Sequence, residues 1–312
     1  MFYVCAEDLH LREIFARGDL PSKESVRQLF HDIFDDYAVN VAPGGEIKYN
    51  HASQEKDFDI RSTTLKNIYA QLEVTHGLIR AVTPIYTKYS YKPSLTYGPT
   101  TRSDKSPAAT AIIKSCKKAS KLVHLDVDTT ASRYGLSRAD IIRKLNDWNE
   151  EEAIELKPSG VLNVYKVLRS LPHTPREIST LVNDIYKLLQ ERESQALRRT
   201  DEVLAIITSP ACFSASLAQH FGDSLPDGKK ECGHCTWCIK HEAVVSEKPP
   251  PVPFNKTAFK AILNKVPDRD DARLLARIAF GIRSPRIAKL KVGKDPIFES
   301  MADHEFSVSC YW

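Results

Sequence analysis

Four cysteines constrain this chain more than any other feature of its sequence. Cys232, Cys235 and Cys238 are spaced C-x2-C-x2-C, and Cys212 lies 20 residues before Cys232, at the start of a predicted helix. This spacing aims three thiolates at one point, and a fourth thiolate completes the closed tetrahedron that structural zinc prefers. A redox-active CxxC pair and unligated thiols are the alternatives, but a redox pair usually lies in a βαβ context that this stretch lacks. The pattern therefore predicts structural Zn²⁺ bound by these four residues.

Length and composition are those of an ordinary globular protein. At 312 residues the chain exceeds the usual size of one domain, so about two to four compact units are expected. The formal charge of +4 is too small to indicate nucleic-acid binding by itself. No apolar run approaches the ~20 residues of a membrane helix, and the N-terminus does not have the pattern of a signal peptide. The three other cysteines form no disulfide framework, which predicts a reducing nuclear or cytoplasmic location without membrane contact.

Apolar periodicity and capping residues predict two similar domains in the first half of the chain. Residues 22–95 show a helix capped by Ser22, then helix, turn and helix, and a β-hairpin from Leu78 to Tyr91, which is the order of a winged helix. Residues 107–170 repeat this order and end in a hairpin about Pro158 to Gly160. Between them, 94–110 is predicted to be a loop.

The second half of the chain predicts a helical platform for the cysteines. Residues 174–245 begin with a long amphipathic stretch, either one helix with a break or two packed helices, and continue into the zinc module. The proline run at 246–253 predicts an extended linker, and 254–312 a small basic helical segment. The predicted fold class is α+β, predominantly α, with tandem winged-helix-like elements, a helical platform carrying a four-cysteine zinc module, and a helical C-terminal segment.

Basic side chains mark candidate nucleic-acid contacts. Winged helices usually bind duplex DNA, and Tyr86, Tyr89 or Tyr91 of the first hairpin is a candidate to stack on an unpaired base. Basic residues also accumulate at 102–121, beside the zinc site, and at 256–294, where eleven Lys and Arg face three Asp. Solvated helix faces and a hairpin that packs against protein are the alternatives. The candidate DNA contacts are Arg61, Lys66, Lys88, Lys92, Lys117, Lys118, Arg138, Arg143, Lys229 and Lys230.

Motifs for catalysis are not found in the sequence. There is no G-x-x-x-x-G-K-[ST] phosphate loop, and spacing alone identifies neither a nucleophile with its base nor a pair of catalytic carboxylates. No catalytic residue is therefore predicted.

One segment carries a family resemblance. ALRRTDEVLAIITSPACFSASLAQHFGDSLPDGKKECGHCTWC closely resembles the zinc-binding region of RecQ-like ATP-dependent DNA helicases, in which a cysteine-led helix ending in H/Y-F-G precedes CGxCxxC. Here that motif is His220-Phe221-Gly222. The order of winged-helix pattern, IELKPSGV and zinc module, and the segment FGIRSPRIAKLKVGKDPIF, are similar to a RecQ-like subgroup, so that the resemblance covers about residues 5–306.

The resemblance implies a role in DNA metabolism. It assigns the zinc ligands to the four cysteines and implies a DNA-binding accessory region of a 3′–5′ helicase of nuclear DNA repair and recombination, acting at a single-strand/duplex junction. The family's motor domains are missing, so ATP and Mg²⁺ are expected only with a separately encoded motor, and residues 1–21 look like a motor remnant. Glu299, where glycine is expected, and the SVSCYW ending suggest a truncated product. The alternative is a free-standing zinc and winged-helix adaptor for protein–protein interaction.

Overall fold

The computed structural model describes residues 6–119, 122–245, 250, 252–267 and 271–306. Helices predominate over strands within these residues, which confirms the α+β, mainly α, fold class. The helices are α1 (Ala6–Arg17), α2 (Lys23–Ile33), α3 (His51–Asp57), α4 (Ser62–Val74), α5 (Tyr97–Ser103), α6 (Pro107–Ser115), α7 (Val127–Tyr134), α8 (Arg138–Glu150), α9 (Pro175–Thr208), α10 (Phe213–His220), α11 (Thr236–Lys240), α12 (Lys256–Lys265), α13 (Ala272–Phe280) and α14 (Pro285–Leu290). The strands are β1 (Glu46–Tyr49), β2 (Ile79–Ala81), β3 (Ile85–Pro93), β4 (Lys117–Ala119), β5 (Leu122–Asp126) and β6 (Ile154–Val167).

The chain divides into two compact units, and the predicted domain boundaries stay predictions. Most of the proline-rich linker predicted at 246–253, and the ending at 307–312, lie outside the described residues. The first unit comprises Met1–Asp36, Ala52–Gln71 and Pro172–Trp312, and the second comprises Tyr37–His51 and Leu72–Leu171.

An antiparallel sheet in the order β1-β6-β3-β5-β4 forms the second unit, with β2 also paired to β6. One face of this sheet is apolar and packs against α6, α7 and α8. Tyr91 lies in this core, where its hydroxyl is 2.9 Å from that of Tyr97, and the Tyr97 ring meets Trp148 edge-on. The core explains why the predicted loop at 94–110 is wrong: α5 forms there because Tyr97 is anchored by the buried aromatic residues.

The two predicted hairpins are also wrong. Within the described residues, β2 and β3 pair with β6 rather than with each other, and β6 runs without a turn through Pro158 and Gly160. These residues remain part of the strand because β3 supplies a partner along this part of β6. Gly160 has φ +67°, and the Thr87 hydroxyl donates to its carbonyl at 2.8 Å. A Cβ at Gly160 would lie only 2.5 Å from the Thr87 oxygen, so this approach requires glycine.

The long helix α9 organises the first unit. It is one continuous helix of 34 residues, with none of the breaks that the sequence left open, and Thr174 with Glu177 forms the capping box at its start. Helices α1 and α2 pack against it, and α2 begins at the predicted cap Ser22. A separate apolar core gathers α12 to α14. In the described part of the chain, no helix combines the length and hydropathy needed to cross a membrane.

A buried ion pair fixes α13 within the same unit. The side chains of Arg277 and Asp59 are each 2% exposed and lie 3.0 Å apart. Arg277 also donates to the carbonyls of Gly18 and Leu20, and Asp59 accepts from the backbone of Arg286. Arg277 was counted among the basic residues of 256–294, but its burial removes it from any surface that meets a ligand.

Candidate metal centre and basic surfaces

Four cysteine sulfurs converge at the end of α9. Cys212 is buried and precedes α10, Cys235 precedes α11, and the backbone N–H of Cys232 donates to the sulfur of Cys212 at 3.2 Å. All four Sγ atoms, including that of Cys238, lie within 4.8 Å of one another. The predicted ligand set is therefore brought together as one cluster.

The spacing of these sulfurs fits zinc. With Zn–S bonds of about 2.3 Å, tetrahedral geometry requires sulfurs about 3.8 Å apart. The sulfur of Cys235 lies 3.4 Å from that of Cys238 and 3.9 Å from that of Cys212, and Cys232 to Cys238 is 3.9 Å. Nδ1 of the nearby His234 instead lies at hydrogen-bond distance from the carbonyl of Cys232, at 2.9 Å. Four thiolates without an open position are typical of structural rather than catalytic zinc.

Backbone amides lower the pKa of two of these thiols, which favours the thiolate form that binds a cation. The N–H of His234, followed by the Ser214 side chain, lowers the pKa of Cys232 to about 5. Burial acts against ionisation of Cys235, but the N–H groups of Cys238 and Phe213 outweigh it, and its pKa is lowered. Burial raises the pKa of Cys238 to about 12. A divalent cation supplies the positive charge that deprotonation of the whole cluster requires.

Four lysines share the exposed face of the sheet in the second unit. Lys88 and Lys92 lie two pleats apart on β3, and opposed residues of neighbouring strands share a face. Ser90, between these two lysines, lies opposite Lys157, and both Ser90 and Lys117 lie opposite His124. We call Lys88, Lys92, Lys117 and Lys157 the lysine face. Lys157 was missed because the sequence does not show that β6 pairs with β3.

Two predicted contacts are engaged by protein groups. Arg61 donates to the carbonyl of Arg283 at 2.8 Å and lies 3.3 Å from a carboxylate oxygen of Asp19. Arg138 binds Asp128 at 2.5 Å and donates to the carbonyl of Tyr86. Both guanidinium groups are therefore already bonded to other groups of the protein.

The remaining predicted contacts are exposed and scattered. Lys66 lies on α4. Lys118 follows Lys117 on β4 and therefore belongs to the opposite face of the sheet. Arg143 is 3.5 Å from Asp140. Lys229 lies 3.9 Å from Asp227 beside the zinc site, and Lys230 is exposed there. DNA contact by these residues stays a prediction.

Burial decides which tyrosines of β3 are available. Tyr89 and Tyr91 belong to the core of the second unit, so they are not available to stack on a base, whereas Tyr86 is partly exposed. Alternation along the strand explains the difference between Tyr86 and the other two, since residues 89 and 91 share the inner face.

The comparison with known families agrees with the geometry of the cysteines. Residues 176–239 match the family model described as RecQ zinc-binding, and this segment contains most of α9, all of α10 and the four clustered thiols. No match to the chain is found among curated proteins. Residues 176–239 are therefore a RecQ-type zinc-binding region, in which a long helix leads into a four-cysteine metal site.

Proposed function

We propose that this chain is the DNA-binding, zinc-stabilised accessory region of a RecQ-like ATP-dependent 3′–5′ DNA helicase. The observation that supports this most is the four-thiol cluster inside the segment that matches the RecQ zinc-binding family. In this role the region grips or splits DNA at a single-strand/duplex junction while an ATP-driven motor supplies translocation.

Zinc takes the place of a hydrophobic core in the region after α9. None of the residues from Phe213 to Lys240 is buried, so packing alone contributes little to holding this segment in place. Zinc binding to small cysteine-rich peptides contributes on the order of 10–16 kcal/mol, which exceeds the stability of many domains. When bound, the metal ties Cys212 at the start of α10 to the C-x2-C-x2-C turn.

Two helix pairs have the spacing of helix-turn-helix motifs, although the hairpins predicted to follow them as wings do not form within the described residues. Helices α3 and α4 are separated by residues 58–61, and α7 and α8 by 135–137, with Gly135 at φ +63°. Turns of three or four residues, often with glycine, are typical of helix-turn-helix motifs. The second pair packs on the sheet whose other side carries the lysine face. Lys157 is paired with Glu155 at 2.8 Å, so Lys88, Lys92 and Lys117 are the cations of this face that favour a phosphate backbone, with affinity that falls as salt rises.

Exposed apolar residues on the zinc module favour a second candidate, the protein-binding adaptor. Phe221 is 77% and Ile239 66% exposed, and Leu217 is also largely uncovered. Exposed apolar surface marks protein contacts when it forms a contiguous patch.

A salt titration with forked DNA distinguishes the two candidates. For the accessory region we expect micromolar or tighter binding by fluorescence anisotropy at low salt, with log Kd rising linearly with log salt concentration. Substitution of Lys88, Lys92 and Lys117 by Gln should weaken binding and flatten the slope. The same charge change at Lys23, Lys56 and Lys187, exposed lysines of the first unit, is the control. Absence of binding at low salt supports the adaptor instead.

An ATPase assay tests the accessory character of the chain. Because the sequence has no phosphate loop, we expect no ATP turnover by the purified chain with single-stranded DNA. DNA-stimulated turnover that survives repurification would contradict the proposal.

A further inference from the structure

Ion pairs in the C-terminal segment leave a particular set of cations without carboxylate partners. Several basic residues of 256–294 are neutralised. The pairs are Lys265 with Asp295 at 2.8 Å, Arg277 with Asp59 at 3.0 Å, Lys289 with Asp57 at 3.8 Å, Arg286 with Asp271 at 3.9 Å, and Arg273 with Glu193. A further set of cations in this segment has no carboxylate of the described residues within ion-pair distance. This set includes Lys260, Arg283, Lys291 and Lys294.

Three of these four cations line one cavity. The cavity has a volume of about 340 Å³, and Arg283, Lys291 and Lys294 are the charged residues that line it. All three are solvent-exposed, and the exposed Ala288 of α14 contributes apolar surface, whereas Ile287 lines the cavity but is only 1% exposed. The cavity therefore combines a cationic rim with an apolar wall.

A residue predicted to contact DNA lies beside this cavity. Arg61 donates to the carbonyl of Arg283 at 2.8 Å, which brings a further guanidinium next to the rim. Arg61 is itself paired with Asp19 at 3.3 Å, so among the described residues Arg283, Lys291 and Lys294 supply the unpaired charge of the rim. The local excess is thus positive, although the whole chain carries only +4.

This combination selects a phosphate carried on an apolar group. Guanidinium and ammonium groups bind phosphate oxygens through charge-assisted hydrogen bonds. A volume of about 340 Å³ lies in the range of small-molecule sites, so it accommodates more than an isolated phosphate. A sugar ring packed on the exposed Ala288 accounts for the apolar wall.

We infer that the cavity between Arg283, Lys291 and Lys294 binds one backbone phosphate of a DNA strand, with its sugar against α14. This inference rests on the proposed DNA-binding function and names a site for it outside the zinc module and the lysine face. The cavity orients the strand through phosphate and sugar, so it is indifferent to base sequence.

The chain allows variants that change the cavity without straining the fold. Lys291 has φ +59°, where glycine is favoured, so Lys291→Gly removes the charge and relieves the backbone. A Cβ at Gly293 meets no atom within 4 Å, and Gly293→Glu adds a negative charge to the lining. Arg283→Gln is the third variant. Matched controls are Gly293→Ala and Lys260→Gln, which removes an exposed cation from α12 of the same segment.

Anisotropy with fluorescein-labelled fifteen-residue oligothymidylate tests the cavity in the zinc-loaded full chain. Each lost phosphate contact lowers the salt slope for single strands by about 0.7, which is about fivefold in Kd at 0.1 M salt. We expect this loss for Arg283→Gln and Lys291→Gly, a larger loss for Gly293→Glu, and unchanged binding for both controls.

The outcomes separate this inference from the proposed function. If the wild type binds and the lysine-face variant loses affinity while the cavity variants do not, the cavity assignment is wrong and the proposed function stands. An equal loss for Lys260→Gln overturns it too, because the effect would then reflect net charge alone. If the wild type binds no DNA, both fall. If thymidine 5′-monophosphate binds the wild type but not the cavity variants, while all of them bind oligothymidylate equally, the inference is also overturned, since the site would then take only a terminal phosphate.

Discussion

Glu299 has a backbone conformation that suits another residue. Its φ is +65°, in the left-handed region, which costs an L-residue roughly 1–2 kcal/mol. The N–H groups of Glu299 and Met301 donate to the carbonyls of Ile278 and Ala279 at the end of α13, and these two bonds impose the turn. The resemblance to RecQ-like proteins leads to an expectation of glycine here, and the turn geometry supplies the physical reason for that expectation.

We predict that Glu299→Gly stabilises the protein. Removing the left-handed strain should outweigh the greater unfolded-state entropy of glycine and give about 0.5–1 kcal/mol. The 3.7 Å contact with His10 that is lost is half-exposed and contributes little. Thermal unfolding should show a higher Tm for Glu299→Gly. Glu299→Ala keeps the strain and should not raise the Tm, so an equal gain for both variants would contradict the explanation.

The pair of Arg277 and Asp59 is predicted to be the most sensitive charge pair of the first unit. Burial lowers the pKa of Arg277, and Asp59 is the first group that opposes this effect. Asp59→Ala leaves a buried cation without its anion, and we expect a loss of about 3–5 kcal/mol in the free energy of unfolding. Urea denaturation of Asp59→Ala, Arg277→Met and the double variant checks this. If the two single losses simply add, the residues are not coupled.

Residue-level chemistry was predictable where it depends on near neighbours in the sequence. The caps Ser22 and Thr174 and the four cysteines could be identified from local spacing. The partner of Arg277 lies 218 residues earlier in the chain, so no local pattern could show that this arginine is buried. The cavity lined by Arg283, Lys291 and Lys294 was missed because the ion pairs of the neighbouring Arg277 and Lys289 join distant segments.

At the scale of elements, helices were predicted better than strand pairing. The helices α7 and α8 lie where the repeated helix-turn-helix pattern indicated them. Pro158 and Gly160 favoured a turn, but their strand pairs with β3, whose residues lie about 70 positions away. A distant partner that satisfies the backbone overrides local turn preference, which is why β6 continues as one strand and the two hairpins were wrong.

One carboxylate joins three elements of the second unit and makes its stability depend on pH. Asp104, after α5, accepts from the backbone of Ser106 before α6, from the Trp148 indole, and from Lys144 of α8 at 3.0 Å. Burial raises the pKa of Asp104, but the bonds from Ser106 and Lys144 outweigh burial and lower the pKa to about 2. Because the folded-state pKa is below the unfolded value near 3.9, this stabilisation is complete above pH 4 and is lost as the pH falls toward 2.

We therefore predict a pH-dependent effect of Asp104→Asn. The variant should lose about 2 kcal/mol at pH 7, and its difference from the wild type should shrink below pH 4 and vanish near pH 2. Urea denaturation followed by Trp148 fluorescence measures this when Trp237 and Trp312 are replaced by Phe. A difference that stays constant from pH 7 to pH 2 would show that Asp104 acts by packing rather than by charge.

At the scale of the whole molecule, the sequence indicated the class of fold and the metal site but not the division into units. Both units contain segments that are separated in the chain, because Ala52–Gln71 belongs to the first unit while the segments on either side belong to the second. Sequence reasoning placed domains one after another, and only long-range packing shows such an exchange. Each unit has an apolar core of its own, with Trp148 in the second unit and Ile278 in the first.

Separate cores predict that metal removal acts on one unit. Trp148 lies in the core of the second unit, and Trp237 lies between Cys235 and Cys238 in the first. Chelation should release one zinc per chain, measured with a metallochromic dye, and change the emission of Trp237. In the background with Phe at positions 237 and 312, the unfolding curve reported by Trp148 should not move. Cys235→Ser should bind no zinc tightly and reproduce the chelated state, because three thiolates leave the tetrahedron open. If chelation shifts the unfolding curve that Trp148 reports, zinc stabilises the whole molecule rather than the region that follows α9.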